Sequence, residues 1–376
     1  MKKRYPPVWL AAALLTLLLL WKMLGAPLTA EQFGALETPF WQARVLLPAR
    51  VARVLLLWLP ANTAAPNAQT LPEDGMNFDD REMARIQQPN ARMINVYMTE
   101  ENRTVQMPLE GYVCGVAAAE MPAAYHMEAL KAQMVAARTR AIYQSEHGGC
   151  ALHEGADICT DSAHCQGYAT LGSCKEKWGN EYDAYRERMM KAAKETADEL
   201  LTYEGKPITV MYHAMSGGKT EAAQAVFSQS VPYLVSVDSE GEESASGFYT
   251  DTILSFEETA QMLNNANLGF SVAAEDVRRS LTIDKYTETG RVESLRLNGR
   301  EVKATDFRKA LGLRSTWFTF SADAQGLTFH QRGYGHGVGM SQVGANSMAA
   351  DGFDYRAILA HYYPNTQIQN SGTQAE

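Results

Sequence analysis

Cysteine and charge are both scarce in this chain. Only five of its 376 residues are cysteine, too few for a disulfide scaffold at this length, and the odd count leaves at least one thiol without an intrachain partner. Charged residues make up 20% of the chain, and the positive ones concentrate at its start: residues 1–60 hold seven Lys/Arg against two Asp/Glu, while the whole carries a formal net charge of −9. The rest is therefore acidic and lacks a Lys/Arg stripe. That excludes nonspecific nucleic-acid binding, because a phosphate backbone needs a basic surface. Several catalytic signatures are missing too. The residues around Ser216 do not form the Gly-x-Ser-x-Gly elbow of a serine hydrolase, no Cys-x-x-Cys zinc knuckle occurs, and no second His or Glu stands at the spacing of a zinc-protease helix. The apolar share of 46% is enough for a large core and excludes a disordered or collagen-like chain.

No apolar run reaches the ~20 residues of a full membrane-spanning helix, but one comes close. Lys2, Lys3 and Arg4 precede an apolar run over residues 7–21, closed by Lys22. Residues 23–28 extend it if Lys22 snorkels to the interface. A cleaved signal peptide and an uncleaved anchor both fit. The expectation adopted is an anchor, with the first residues cytoplasmic and an extracytoplasmic body on the wall side of the membrane. Residues 39–59 mix Trp41, Leu46, Leu56 and Trp58 with Pro48, Arg44, Arg50 and Arg53. They read either as a helix packed on the body or as one lying among lipid headgroups. Residues 60–90 read as a polar, Pro/Asn-rich linker.

The body opens with Ile94, Val96 and Met98 alternating with Asn95, Tyr97 and Thr99, which predicts a strand and a hairpin return through Thr104 and Val105. A helix over residues 109–119 must stop near Glu120, because Pro122 disfavours helical geometry in the residue before it. A second helix over residues 127–145 has one buried stripe of Met127, Leu130, Met134, Ala137 and Ala141. Glu120 thus sits at a helix C-terminus, where the macrodipole disfavours a carboxylate and raises its pKa, the direction a general acid needs. A solvated surface glutamate is the plainer alternative, opposed by its apolar neighbours Ala117, Ala118, Ala119 and Met121.

His153, Cys159 and Cys165 stand six residues apart in a turn-rich segment, a donor set that suits zinc. A disulfide between Cys159 and Cys165, or between Cys150 and Cys174, is compatible with the spacing too, and three ligands would leave a fourth position for water, substrate, His164 or Cys174. Farther on, a hairpin turning at residues 204–207 leads through a strand at 208–211 to the Ser216-Gly217-Gly218 turn, which brings amides and a hydroxyl to a surface. A capping box at Ser255 and Glu258 opens a helix, residues 280–302 read as two strands, and residues 305–311 as a short helix. Four glycines at positions 333, 335, 337 and 339 present Tyr334 and His336 and precede a helix to about residue 350. No P-loop lysine follows them. A last helix, residues 355–363, ends at Pro364.

Taken in order, residues 109–122, 128–139, the His153/Cys159/Cys165 segment ending Cys165-Gln166-Gly167-Tyr168, Ser216-Gly217-Gly218-Lys219-Thr220-Glu221, residues 231–239 and residues 333–342 resemble the stage II sporulation protein D family. The resemblance covers roughly residues 92–367. It implies lytic transglycosylation of peptidoglycan: cleavage of the bond between N-acetylmuramic acid and N-acetylglucosamine in peptide-stripped strands, leaving 1,6-anhydro-muramyl ends during sporulation (engulfment). Glu120 falls on the family's catalytic glutamate. Arg138, Ser216, Lys219, Tyr334, His336 and Gln342 match motif positions and are candidates for binding glycan or orienting Glu120. For Arg138 a buried salt bridge to Glu128 or Glu120 is the alternative. The resemblance also implies zinc at His153, Cys159 and Cys165 in a structural or site-ordering role, and Cys114 reads as a core thiol. Implied partners are glycan strands, the sporulation amidase (stage II sporulation protein P) and a polytopic membrane protein (stage II sporulation protein M). A noncatalytic amidase enhancer is the alternative function, and a zinc hydrolase a more distant one. The expected organisation is a signal-anchor at residues 1–30, an amphipathic stretch and linker at 31–90, a catalytic module at 91–368 and a tail at 369–376. The expected fold is mixed α+β, two lobes around a cleft containing Glu120, preceded by one membrane helix.

Overall fold

The computed structural model describes residues 92–371. The expected membrane segment, the amphipathic stretch with its linker, and residues 372–376 of the tail lie outside the described residues. Among the described residues no helix is long and apolar enough to cross a membrane.

Strands β1 (Met93–Met98) and β2 (Arg103–Pro108) pair antiparallel, burying Ile94, Val96 and Met98 as their alternation predicts. Helix α1 (Leu109–Glu120) follows directly, and α2 (Met127–Glu146) after a turn. The predicted single stripe on α2 is too narrow. Ala132, Val135, Ala136 and Ile142 are buried as well, because α2 runs through the centre of its layer, against α1 and the later elements. An alanine-rich helix suits that position, since small side chains admit neighbours on every side.

Strand β3 (Ile158–Cys159) adds to β1 in parallel. Helices α3 (Leu171–Trp178) and α4 (Tyr182–Glu195) lead to β4 (Glu199–Tyr203) and β5 (Lys206–Pro207). These two strands meet through Glu204 and Gly205, both at positive φ, the twist a two-residue hairpin needs. The strand expected at residues 208–211 forms instead one step later, as β6 (Tyr212–His213), and α5 (Ala223–Phe227) follows.

Residues 249–332 build a second core. It comprises β7 (Tyr249–Ser255), α6 (Phe256–Asn265) with the predicted Ser255 capping box, α7 (Ala274–Ser280), β8 (Thr282–Tyr286), β9 (Val292–Leu297), β10 (Arg300–Lys303), α8 (Ala304–Leu311), β11 (Phe318–Ala322) and β12 (Gly326–Arg332). Three strands form where two were expected at 280–302, and Phe256, Leu263, Leu295, Phe307, Phe318 and Phe329 pack between the sheets and helices. The chain then returns to the first core through β13 (Met340–Ser341), α9 (Gln342–Ala350), α10 (Tyr355–Tyr362) and β14 (Gln367–Asn370). The mixed α and β composition matches expectation. The return sets the site: β13 pairs in parallel with β6, Ser341 against His213, so residues from the chain's far end reach the tip of α1.

Candidate active site

Glu120 is the last residue of α1, and Met121 leaves it in extended geometry as Pro122 requires. Its Oε2 accepts from Gln342 Nε2 at 3.2 Å and its Oε1 from the Gly167 amide at 3.1 Å. Burial pushes its pKa up, and the two hydrogen bonds and Arg140 only partly oppose this. The direction agrees with the sequence reading, but the cause that raises it is burial. Gly167 comes close because it has no side chain: a Cβ there would stand 3.2 Å from Glu120 Oε1. Beside it, Gln166 donates to the Tyr112 hydroxyl at 3.1 Å and accepts from Tyr212 at 2.7 Å. This ties α1 to β6.

The loop that presents Gly167 carries the thiol cluster. Cys150 Sγ, Cys159 Sγ and Cys165 Sγ lie 3.6, 3.5 and 3.2 Å from His164 Nδ1, and all four donor atoms fall within 4.8 Å of one another. In a tetrahedral site with Zn–S near 2.3 Å and Zn–N near 2.0 Å, sulfur and nitrogen stand about 3.5 Å apart. The four residues therefore fit zinc, with a closed three-Cys, one-His set that leaves no position for water or substrate. His153 is corrected: its ring stacks on Tyr97 with centroids 3.5 Å apart and it is not in the cluster. Spacing misled because β3 pulls Cys159 beside β1, while the turn after Asp161 folds His164 and Cys165 back. All five thiols are free and buried; Cys114 and Cys174 stand outside the cluster. Burial pushes the thiol of Cys159 up and that of Cys165 to about 12, so metal binding must displace protons and weakens as pH falls. The fit has a specific expected outcome: zinc added to the purified protein binds wild type and His153→Ala but not Cys150→Ser or His164→Ala, read by metal analysis after removal of the excess.

Arg138 is not a substrate contact. It is fully buried, and its guanidinium grips Glu110 in a fork, Nε to Oε1 at 2.7 Å and Nη2 to Oε2 at 2.6 Å, with Nη1 on the Glu199 carbonyl at 3.1 Å. Neither Glu128 nor Glu120 is its partner.

Ser216 is buried as well, and the Ser-Gly-Gly turn faces inward. Its donors close on a carboxylate of the chain itself, Glu242, which accepts from Ser216 Oγ at 2.9 Å, the Gly217 amide at 2.8 Å, Ser239 Oγ at 2.7 Å and Ser341 Oγ. Ser341 caps α9, the helix that begins with Gln342, so Glu242 anchors the turn and the α9 start together. Nothing marks Glu242 in the sequence, where it belongs to no motif singled out above. Glu242→Ala would strand several buried donors and is expected to cost at least about 3 kcal/mol in urea denaturation, against about 1 kcal/mol for Ser216→Ala.

His336 turns inward: its Nδ1 accepts from the Val338 amide at 3.0 Å. Burial and the neighbouring Arg308 and Arg140 push its pKa down to about 4, against a hydrogen bond with the Tyr212 backbone. It is therefore neutral at pH 7 and locks the Gly-rich segment to β6. Lys219 is half exposed and pairs with Asp238 at 3.4 Å. Tyr334 is exposed, with Arg314 over its ring at 4.3 Å. Of the predicted residues, only Gln342 touches Glu120.

These motifs have counterparts in known proteins. A family model described as "Stage II sporulation protein" matches residues 97–203, the stretch from β1 to β4 that holds Glu120 and the thiol cluster. Stage II sporulation protein D of Bacillus amyloliquefaciens is 34% identical over 278 residues, covering 74% of this chain and 79% of that protein. The chain belongs to the stage II sporulation protein D family. The Bacillus subtilis protein of the same name matches with the same identity and coverage. An amidase enhancer of Bacillus subtilis is 30% identical over 301 residues, 68% of this chain and 40% of that protein.

Proposed function

We propose that this protein is a peptidoglycan lytic transglycosylase that cleaves the MurNAc–GlcNAc bond of peptide-stripped glycan during sporulation. The observation that carries the reading is the isolation of Glu120. Its hydrogen-bond partners among the described residues are the Gln342 amide and the Gly167 N–H, and neither is a second carboxyl. A hydrolase working by two carboxyls needs a nucleophile or a base opposite the acid. A lytic enzyme finds its nucleophile in the substrate.

In its acid form, which burial favours, Glu120 gives its proton to the glycosidic oxygen as the C1–O bond breaks and N-acetylglucosamine leaves. The resulting carboxylate, steadied by the Gln342 amide and the Gly167 N–H, takes the proton from the muramyl 6-hydroxyl as that oxygen attacks C1 and closes the anhydro ring. No water is consumed and the carboxyl is restored. Zinc at Cys150, Cys159, His164 and Cys165 would supply structural order to the loop that presents Gly167.

The protein would act on the wall side of the membrane, held by its N-terminal segment, after stage II sporulation protein P removes stem peptides and beside stage II sporulation protein M. Mass spectrometry of digested, peptide-free glycan tests the reaction: anhydro ends support it, and reducing ends carrying added water overturn it. Unchanged function with Glu120→Gln would favour the amidase-enhancer reading instead.

A further inference from the structure

Residues 314–317 run antiparallel to the start of the Gly-rich segment. The Arg332 amide donates to the Trp317 carbonyl at 2.9 Å, the Gly335 amide to the Arg314 carbonyl at 2.9 Å, and the Ser315 hydroxyl to the Arg332 carbonyl at 2.6 Å. On this short ladder two guanidinium groups lie over aromatic rings. Arg332 Cζ stands 4.3 Å from the Trp317 ring centre and 5.3 Å from that of Phe248, and Arg314 Cζ stands 4.3 Å from that of Tyr334.

What sets these two apart is what they lack. Nε of Arg314 and of Arg332 is buried without a hydrogen-bond partner, as are Nε and Nη1 of Arg291, but among the described residues only Arg314 and Arg332 of this group have guanidiniums that form neither an ion pair nor a hydrogen bond. The neighbouring arginines are engaged: Arg291 donates to the Lys219 carbonyl at 3.2 Å and to that of Ser216, and Arg308 donates to the carbonyls of Leu313 and Arg314 at 3.1 Å. Glu243 lies across Gly218 from Arg332 but makes no ion pair with it. Ring faces offset part of the cost of holding a cation away from water, yet they leave the N–H fork open. A planar fork of donors with no acceptor is built for a carboxylate or phosphate. Tyr334 is exposed, so the ladder opens to solvent, and the segment that carries Arg332 and Tyr334 ends at Gln342, which touches Glu120.

We propose that Arg314 and Arg332 form a carboxylate-binding station that reads the free lactyl carboxyl of muramic acid in the bound glycan. The proposal rests on the glycan reading above. In wall glycan that carboxyl is an amide wherever a stem peptide is attached and an anion wherever the peptide has been removed. Two guanidinium forks accept the anion and gain little from the neutral amide, so this pair makes the site discriminate stripped from unstripped strands.

The test is binding by the full-length chain carrying Glu120→Gln, which prevents turnover. The probes are a GlcNAc–MurNAc oligosaccharide with free lactyl carboxyls and the same oligosaccharide with each carboxyl converted to the methylamide. Calorimetry at low salt is expected to show the acid bound at least about tenfold more tightly, as charge-assisted bonds allow. Adding Arg314→Gln or Arg332→Gln should shrink the gap to less than about twofold while leaving the amide's affinity unchanged. Raising salt to about 0.5 M should narrow the gap without any substitution, which keeps the test independent of how either variant folds. Equal binding of acid and amide, no binding of either, or a preference that survives both substitutions overturns the proposal. Failure of anhydro-end formation with the acid preference intact would sink the reaction but leave the station standing.

Discussion

Glu120→Gln is expected to lower strand cleavage by at least about a thousandfold, since in the proposed reaction one carboxyl serves as both acid and base and each role contributes on the order of 10²–10⁴. The amide keeps the size of the side chain, so the contact with Gln342 and the approach of Gly167 are preserved in shape. The measurement is the yield of anhydro ends from peptide-free glycan, with wild type and variant side by side. Two further readouts follow from the raised pKa of Glu120, caused first by burial. The acid form persists to higher pH than in an ordinary glutamate, and cleavage falls as pH rises through that raised value. Stability follows the same sign. A carboxyl whose folded pKa lies above its unfolded one favours the fold below the unfolded value and loses that contribution as pH rises through the folded value. Glu120→Gln should therefore match wild type in acid and melt higher than it at neutral pH. A variant that melts lower at pH 7 would mean that the buried carboxylate supports the fold, against this account.

Arg138→Ala is expected to be the most destabilising substitution, about 3–5 kcal/mol, because it removes one partner of a buried ion pair and leaves Glu110 facing its absence. The forked geometry to Glu110 and the third bond to the Glu199 carbonyl join α1, α2 and β4 at one point. Lysine cannot supply the fork, so Arg138→Lys should recover little. The double replacement Arg138→Met with Glu110→Leu should recover more than half of the loss, because it leaves no stranded charge. Urea denaturation of the four proteins checks the order. Cleavage per folded molecule should stay near wild type in each, since Arg138 is bonded to Glu110 in the first turn of α1, the end opposite Glu120. A selective loss of cleavage in Arg138→Lys, with stability intact, would return Arg138 to the substrate.

Much of the local architecture was legible because its causes are local. Pro122 ends α1 at Glu120, the Ser255 box opens α6, and the alternation of Ile94, Val96 and Met98 makes β1. The upward direction of the Glu120 pKa is legible from its helix end, although the cause that raises it is burial. The thiol cluster was half legible. Cys159 and Cys165 are legible and His164 is a fourth-position candidate, but even six-residue spacing puts His153, which stacks on Tyr97, into the set and leaves Cys150 to a disulfide.

What sequence by itself determined was identity of type: which elements form, where α1 stops, and which ordered motifs place the chain in its family. Tertiary structure alone decided the partnerships. Gln342 meets Glu120 across 222 positions, Glu242 draws in Ser216 and Ser341, Arg138 takes Glu110, and Arg314 and Arg332 are left with rings and no anion. Backbone sterics and side-chain periodicity act over a few residues, so they can be read along the chain. Which donor finds which acceptor depends on packing between segments far apart in the chain, and the cost of stranding a buried polar group decides each pairing only once that packing exists.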